Sequence, residues 1–334
     1  MQMMNKFMRA AAPFAALAMM GAVTLSPAMA QDLKKVHLRL AYITGGVDAP
    51  TFVAAAKGYF KEQGLDVEIV DGNGSTGTIQ AVGSGDFDIG IAGLGATAQA
   101  QQASGANDII AVAGLLQKDP SSIVSLKGSG IVKPKDIEGK RFGTDAGNLQ
   151  DGMITAFAEA NGIDMSKVET IIINSGEQVA LLKGDIDFVN VWANPDGDKI
   201  AKVKPIEKPI LFADYGVNIL GSSVIVRKDY LAKNPEIVRG FLAGLAKGKA
   251  DVDKDPEGAA DIIMAARPDS DRDIILGEIK VMPNYRQTAA SKGKPFGWIA
   301  PEDIKQTISL LEKYSGMKPG LTPELIYDGS YLPQ

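Results

Sequence analysis

Two stretches of the chain run through apolar strands and amphipathic helices in the same order. In the first, Leu38-Arg39-Leu40-Ala41-Tyr42-Ile43 reads as a short strand, and a Gly-containing turn leads to a helical run over residues 50–63 that ends at Gly64. Leu65-Asp66-Val67-Glu68-Ile69-Val70 is the next strand. A turn with Gly72, Gly74 and Gly77 and a helix over residues 78–82 come next, and Gly85-Asp86-Phe87-Asp88-Ile89 opens a third strand. In the second stretch, Arg141-Phe142-Gly143-Thr144 enters the turn Asp145-Ala146-Gly147-Asn148, and a helix over 151–161 stops at Gly162. A strand over 168–173, the turn Asn174-Ser175-Gly176 and a helix over 177–183 then lead to Gly184-Asp185-Ile186-Asp187-Phe188. Glycine just past a helix supplies a left-handed cap, and β-rich residues after it begin a strand. The interval from Gly64 to Gly85 nearly equals that from Gly162 to Gly184. Each half therefore reads as βαβαβ, which predicts a parallel sheet covered by helices, and the repeated G-D-x-D element predicts a duplicated architecture.

Between the halves, a strand-like run over 111–117 is broken by Lys118-Asp119-Pro120-Ser121. After the second half, Ile210-Leu211-Phe212 passes through Asp214-Tyr215-Gly216 to a new strand, Ser223-Val224-Ile225-Val226-Arg227. These breaks read as paired crossings near 118 and 218, where a few torsions suffice to close two lobes. The expected organisation is a signal peptide over 1–30, lobe 1 from 31–118 and 219–334, and lobe 2 from 119–218. The rest is mostly helical: Asn234-Pro235-Glu236 and Pro301-Glu302-Asp303 carry helix-start chemistry, and the polar segment 283–297 reads as a surface excursion.

The N-terminus sets the compartment. Lys6 and Arg9 precede an apolar run over 10–25, and Ala28-Met29-Ala30 offers a small-x-small cleavage site, so the mature chain is expected to begin at Gln31. The apolar run is short for a membrane span. The formal net charge is −5 and becomes more acidic once Lys6 and Arg9 are removed, which argues against nucleic acid as partner. The chain has no Cys and one His. Disulfides, thiolate catalysis, a Cys-linked lipid anchor and Cys-ligated metal are excluded, and His37 alone builds no triad or His-metal cluster. No G-x-x-x-x-G-K-[ST] run is present. Asp86/Asp88 and Asp185/Asp187 stand where strands begin, so turn chemistry describes them better than metal binding.

Several runs carry a family resemblance. Lys57-Gly58-Tyr59-Phe60-Lys61-Glu62-Gln63-Gly64-Leu65-Asp66-Val67-Glu68 resembles the K-G-Y/F-F-x-x-x-G-L-D-V-E signature of periplasmic solute-binding proteins for sulfonates, taurine, nitrate and thiamine pyrimidine precursors. The likeness continues in Gly85–Ile89, Asp136–Gly143, Leu182–Asp187 and Arg227–Glu236, spanning nearly the whole expected mature chain. It implies a type II periplasmic binding protein fold, two βαβ lobes joined by a two-stranded hinge. It also implies a monomer that captures a small-molecule ligand for an ABC permease and ATPase, with no cofactor, metal or catalytic residue. An enzymatic branch resembling this family makes the thiamine pyrimidine with a histidine and clustered cysteines; this chain has no Cys and a single His, His37, at the start of a strand. A periplasmic sensor partner of a membrane receptor is the other alternative.

In open parallel sheets, ligands bind beyond the carboxyl ends of strands. Residues expected at the cleft are Ile43, Thr44 and Gly45, then Gly93, Gly95 and Thr97, in lobe 1, and Thr144, Asp145, Asn148, Trp192 and Asn194 in lobe 2. Glycines let backbone N–H groups approach a ligand, and the aromatic face of Trp192 can stack on a ring. Asp48, Asp145, Asp151, Glu177 and Asp196 lie at or near these turns, with no Lys or Arg among them. That balance favours an amine-bearing or N-heterocyclic solute over a sulfonate-, taurine- or nitrate-like anion.

Overall fold

The computed structural model describes residues 32–102, 108–145, 152–173 and 175–333. The chain divides into Met1–Asp32 and Leu33–Gln334. The expected signal peptide lies outside the described residues, and the second unit holds two five-stranded sheets.

The first sheet is built from β1 (Lys34–Arg39), β2 (Leu65–Val70), β3 (Ile89–Gly93), β4 (Ile109–Gly114) and β10 (Ser222–Arg227), in the order β2-β1-β3-β10-β4. The second comprises β5 (Ser121–Ser125), β6 (Arg141–Thr144), β7 (Glu169–Ile172), β8 (Phe188–Trp192) and β9 (Ile210–Leu211), in the order β7-β6-β8-β5-β9. The orders correspond strand for strand. They also correct the expectation of purely parallel sheets. β2-β1-β3 and β7-β6-β8 are parallel, but β10 runs antiparallel to β3 and β4, and β5 antiparallel to β8 and β9. The reason is the crossing itself. β5 is the strand that enters its sheet from the other lobe and β10 the one that returns, so each points against its neighbours.

The G-D-x-D repeat has a physical role in both sheets. The backbone N–H of His37 donates to Asp88 Oδ2 at 2.9 Å, and the Asp88 N–H returns a bond to the His37 carbonyl. In the second sheet the Arg141 N–H donates to Asp187 Oδ2 at 2.8 Å, and the Asp187 N–H donates to the Arg141 carbonyl. The second aspartate thus fastens the approach to β3 or β8 onto the middle of β1 or the start of β6, answering backbone groups that would otherwise lack partners.

Consecutive strand residues feed opposite faces. Phe142 and Phe188 stack at 4.9 Å on one face of the second sheet, while Val124 and Val189 pack with Leu181 and Ile200 on the other. In the first sheet, Val36 and Leu38 join Phe52, Phe60 and Phe241 on one side, and Ala92 and Ile225 meet Ile304 and Ile308 on the other. The helix Pro301–Tyr314 reaches further than expected. Ile304, Ile308 and Leu311 serve the first sheet's core, but Leu310 and Tyr314 pack on the second's, and Tyr314 Oη donates to Glu159 at 2.7 Å.

Three local expectations change. The first strand occupies Lys34–Arg39, so Tyr42 and Ile43 lie beyond it. The run over 50–63 is a helix only across Ala49–Ala56; Gly58, at φ +77°, breaks it before a tight turn over Lys61–Gln63. The segment 283–297 is built in rather than superficial, since Tyr285, Arg286 and Ser291 are buried. The crossings are tied together. Asn218 accepts from the Asp119 N–H through Oδ1 and donates to the Gln117 carbonyl through Nδ2, both at 2.8 Å. The Tyr285 carbonyl accepts from the N–H groups of Gln117 and Lys118. Among the described residues, no helix is long and apolar enough to cross a membrane.

Candidate ligand-binding cleft

The chain leaving β1 stays hydrogen-bonded to the segment just after β2: the Leu40 N–H donates to Val70 O, and Gly72 and Gly74 donate to Tyr42 O and Ala41 O. A Cβ at Gly72 would stand 2.1 Å from the Leu40 carbonyl oxygen, so only glycine permits this approach. The tip it creates carries Tyr42 and Ile43, 62% and 65% exposed.

The next residues turn inward. Thr44 is buried and its hydroxyl donates to Asp71 at 2.6 Å. The Gly45 N–H donates to Asp48 Oδ2 at 2.9 Å, and the Gly46 N–H donates to Glu278. These amides therefore hold the turn together, contrary to the expectation that Gly45 offers its N–H to a ligand. Asp71 is buried enough to resist charge, yet Arg267, 3.0 Å away, and the Thr44 hydroxyl hold its carboxyl below the usual range. Asp48 has no such ion pair among the described residues. Burial, with repulsion from Glu278 and Asp71, pushes it up to about 7 against the opposing pull of the Gly45 N–H and Arg267. Glu278 is likewise raised by burial and by Asp196 and Asp198, with the Gly46 N–H and Lys199 acting the other way.

Glu278 shows how the two strand ends meet. Its helix, Arg272–Val281, packs on the turn Gly46–Asp48 after β1 and on the turn Ala193–Gly197 after β8. A cavity of about 500 Å³ lies between this helix and the helix Asp198–Val203, lined by Pro195, Lys199 and Gly277 among others. Trp192, at the end of β8, is 47% exposed. Asn194 is more committed than expected: Nδ2 donates to Asp198 at 2.6 Å, and Oδ1 accepts from the Tyr285 hydroxyl at 2.7 Å.

The remaining expected residues divide clearly. Gly93 donates its N–H to Ser75 Oγ at 3.0 Å. Gly95 is a packing glycine, since a Cβ there would meet Ile219 at 2.7 Å. Thr97 is fully buried, its hydroxyl bonded back to Gly93 O at 2.9 Å. Both correct the expectation of ligand contact, because they lie on the inward face of the helix. Thr144 is buried at the end of β6 and Asp145 is half-buried beside it. Asn148 and Asp151 lie outside the described residues. The expectation of a rim without basic residues is also corrected: Arg267 and Lys199 arrive there, each paired with an acid.

Sequence reasoning missed Tyr42, Glu278 and Tyr285. Tyr42 carried the same signal as Trp192, an aromatic at a strand end beside a polar turn. The other two come from helical and loop segments with no local mark of the cleft. His37 stands apart, level with the start of β3 and 3.7 Å from Glu68.

Two mixed α/β sheets of matching order, joined by a paired crossing, define the two-lobed periplasmic binding protein fold. Within it the chain belongs to the NMT1/THI5 like family, whose model matches residues 47–259. It is 26% identical over 245 residues to the 4-amino-5-hydroxymethyl-2-methylpyrimidine phosphate synthase of Legionella pneumophila, covering 72% of this chain and 76% of that protein. It is 23% identical over 337 residues to the riboflavin-binding protein RibY of Chloroflexus aurantiacus, covering 96% of this chain and 92% of that one. Its backbone matches the periplasmic aliphatic sulphonate binding protein SsuA of Escherichia coli with a TM-score of 0.69 at 14% identity, over 89% of this chain and 99% of SsuA. The family resemblance carried by the sequence motifs agrees with these findings.

Proposed function

We propose that the protein is the substrate-binding component of an ABC importer. On this reading it works in the periplasm as a monomer after loss of residues 1–30, with lobe 1 from 31–118 and 219–334 and lobe 2 from 119–218. It closes on a small organic solute and delivers it to a permease and ATPase. The observation that carries the reading is the exposure of Tyr42, just past the carboxyl end of β1, and of Trp192, at the carboxyl end of β8. Large aromatic faces left open at a cleft gain most when a flat or apolar solute covers them.

The solute is an N-heterocyclic or amine-bearing molecule. Asp48, Glu278, Asp196 and Asp198 crowd the turns beside Lys199, which disfavours an anion and suits a donor-rich ring. Two of the relatives, a pyrimidine phosphate synthase and a riboflavin-binding protein, are named for N-heterocycles. A sulfonate-, taurine- or nitrate-like solute is the second choice, favoured by the likeness to SsuA. Binding without catalysis is supported by the place of His37, away from the strand ends that carry the cleft, and by the absence of cysteine from the sequence. The synthase relatives keep the enzyme reading as the alternative.

A thermal-shift screen over riboflavin, pyrimidines, amines, aliphatic sulfonates, taurine and nitrate tests this. A solute bound only by the folded state stabilises it by about 2.7 kcal/mol at a hundredfold excess over Kd. Heterocycles or amines are expected to raise the melting temperature. Trp192→Ala and Tyr42→Ala each weaken that binding about tenfold and leave the free protein's melting temperature unchanged. A shift with sulfonates and none with heterocycles or amines would refute the ligand class. Turnover of a bound pyrimidine precursor would refute the binding-only reading.

A further inference from the structure

Away from the cleft, the first lobe holds a second concavity of about 300 Å³, bordered by Lys249, Asp253, Arg286, Lys294 and Phe296. Arg286 is only 8% exposed. One guanidinium nitrogen, Nη1, bonds Asp253, which Lys249 also meets at 2.6 Å. Burial works against the charge on Asp253, but these two cations hold its carboxyl below the usual range. Lys294 lies at the mouth, its ammonium 5.3 Å from the centre of the Trp298 ring. Two cations therefore share one carboxylate, and Lys294 borders the same concavity without an ion pair to it.

The rest of the Arg286 guanidinium has no protein hydrogen-bond partner among the described residues. The described side-chain atoms that are both buried and unpartnered are Arg39 Nε and Gln117 Oε1, so the free nitrogens of Arg286 keep solvent access, and Arg286 borders this cavity. A guanidinium presents two edges to oxyanions, and a low-dielectric wall strengthens what it binds. That wall is present: Val47, Leu115, Leu245 and Met282 close the space behind Arg286, leaving about 10 Å³, too little for a ligand.

We propose that this crevice binds a phosphate-type dianion on the guanidinium edge that Asp253 leaves free, flanked by Lys249 and Lys294. The residues bordering it differ from those named at the cleft, and the proposal does not depend on which solute the cleft takes. Calorimetric titration of the full protein with inorganic phosphate, at ionic strength held constant with chloride, tests it directly. Saturable one-to-one binding is expected, weakened about tenfold by Arg286→Lys, which keeps the charge facing Asp253 but loses the fork. Lys294→Gln, at an exposed position, is expected to weaken it about threefold and serves if the buried variant fails to fold. A parallel titration with glycerol 3-phosphate identifies the source: tighter binding than phosphate marks a phosphomonoester, equal or weaker binding the free ion. No saturable binding above the chloride background, or wild-type affinity in Lys294→Gln, overturns the proposal.

Discussion

Replacing Asp48 by asparagine removes a charge that the fold resists. The side chain is 6% exposed, and Glu278 and Asp71 add repulsion to the loss of water. A carboxyl that titrates near 7 in the folded chain and near its ordinary 3.8 when unfolded is harder to ionise by about 4 kcal/mol. Because the folded value is raised, the associated stability is fully present below pH 4 and is lost as the pH climbs through 7. Asparagine retains an oxygen for the Gly45 N–H, now 2.9 Å from Asp48 Oδ2, but never ionises. Asp48→Asn should therefore match the wild type near pH 4 and exceed it above pH 7 by as much as about 4 kcal/mol. Urea denaturation at half-unit steps from pH 4 to 8 measures the difference, and comparing the two proteins at each pH separates Asp48 from the raised Glu278. A difference that stays flat across this range, or a variant less stable at pH 8, would refute the account of Asp48 as a buried acid held against its charge.

Contacts around the same turns give two further outcomes. Gly46→Ala places a Cβ 2.5 Å from the Ile275 carbonyl oxygen and from Glu278 Cβ, and should destabilise the protein by about 1–3 kcal/mol in urea denaturation. Tyr285→Phe deletes the hydroxyl that reaches Asn194 across the lobes. A double-mutant cycle with Asn194→Ala should return a coupling of about 1 kcal/mol, and a coupling of zero would mean the bond carries no energy.

The duplicated architecture was legible in the sequence because its punctuation is local: Gly64, Gly85, Gly162 and Gly184 all take positive φ where glycine caps were expected. Strand direction was not legible, since nothing in Ser121–Ser125 or Ser222–Arg227 records which lobe the chain has just left. Ile43 and Trp192, expected at the rim, are exposed after β1 and at the end of β8, a placement legible because apolar residues there stand out against polar turns. Gly95 and Thr97 were misread because residue type in a turn does not reveal which way a helix face points, and here it points into packed side chains. Arg267, Glu278 and Tyr285 reach the cleft from far along the chain, so no window of sequence around the turns could contain them.

The place of β10 in its sheet bears on how the protein assembles. It lies between β3 and β4, more than a hundred residues downstream of both, whereas every strand of the second sheet falls within residues 121–211. A chain made from its N-terminus can therefore complete the later sheet while the earlier one still has a gap between β3 and β4. Filling that gap closes a long loop, which is the slow kind of pairing. The lobe that begins first must finish last, with its exposed β3 and β4 edges waiting on the return of the chain.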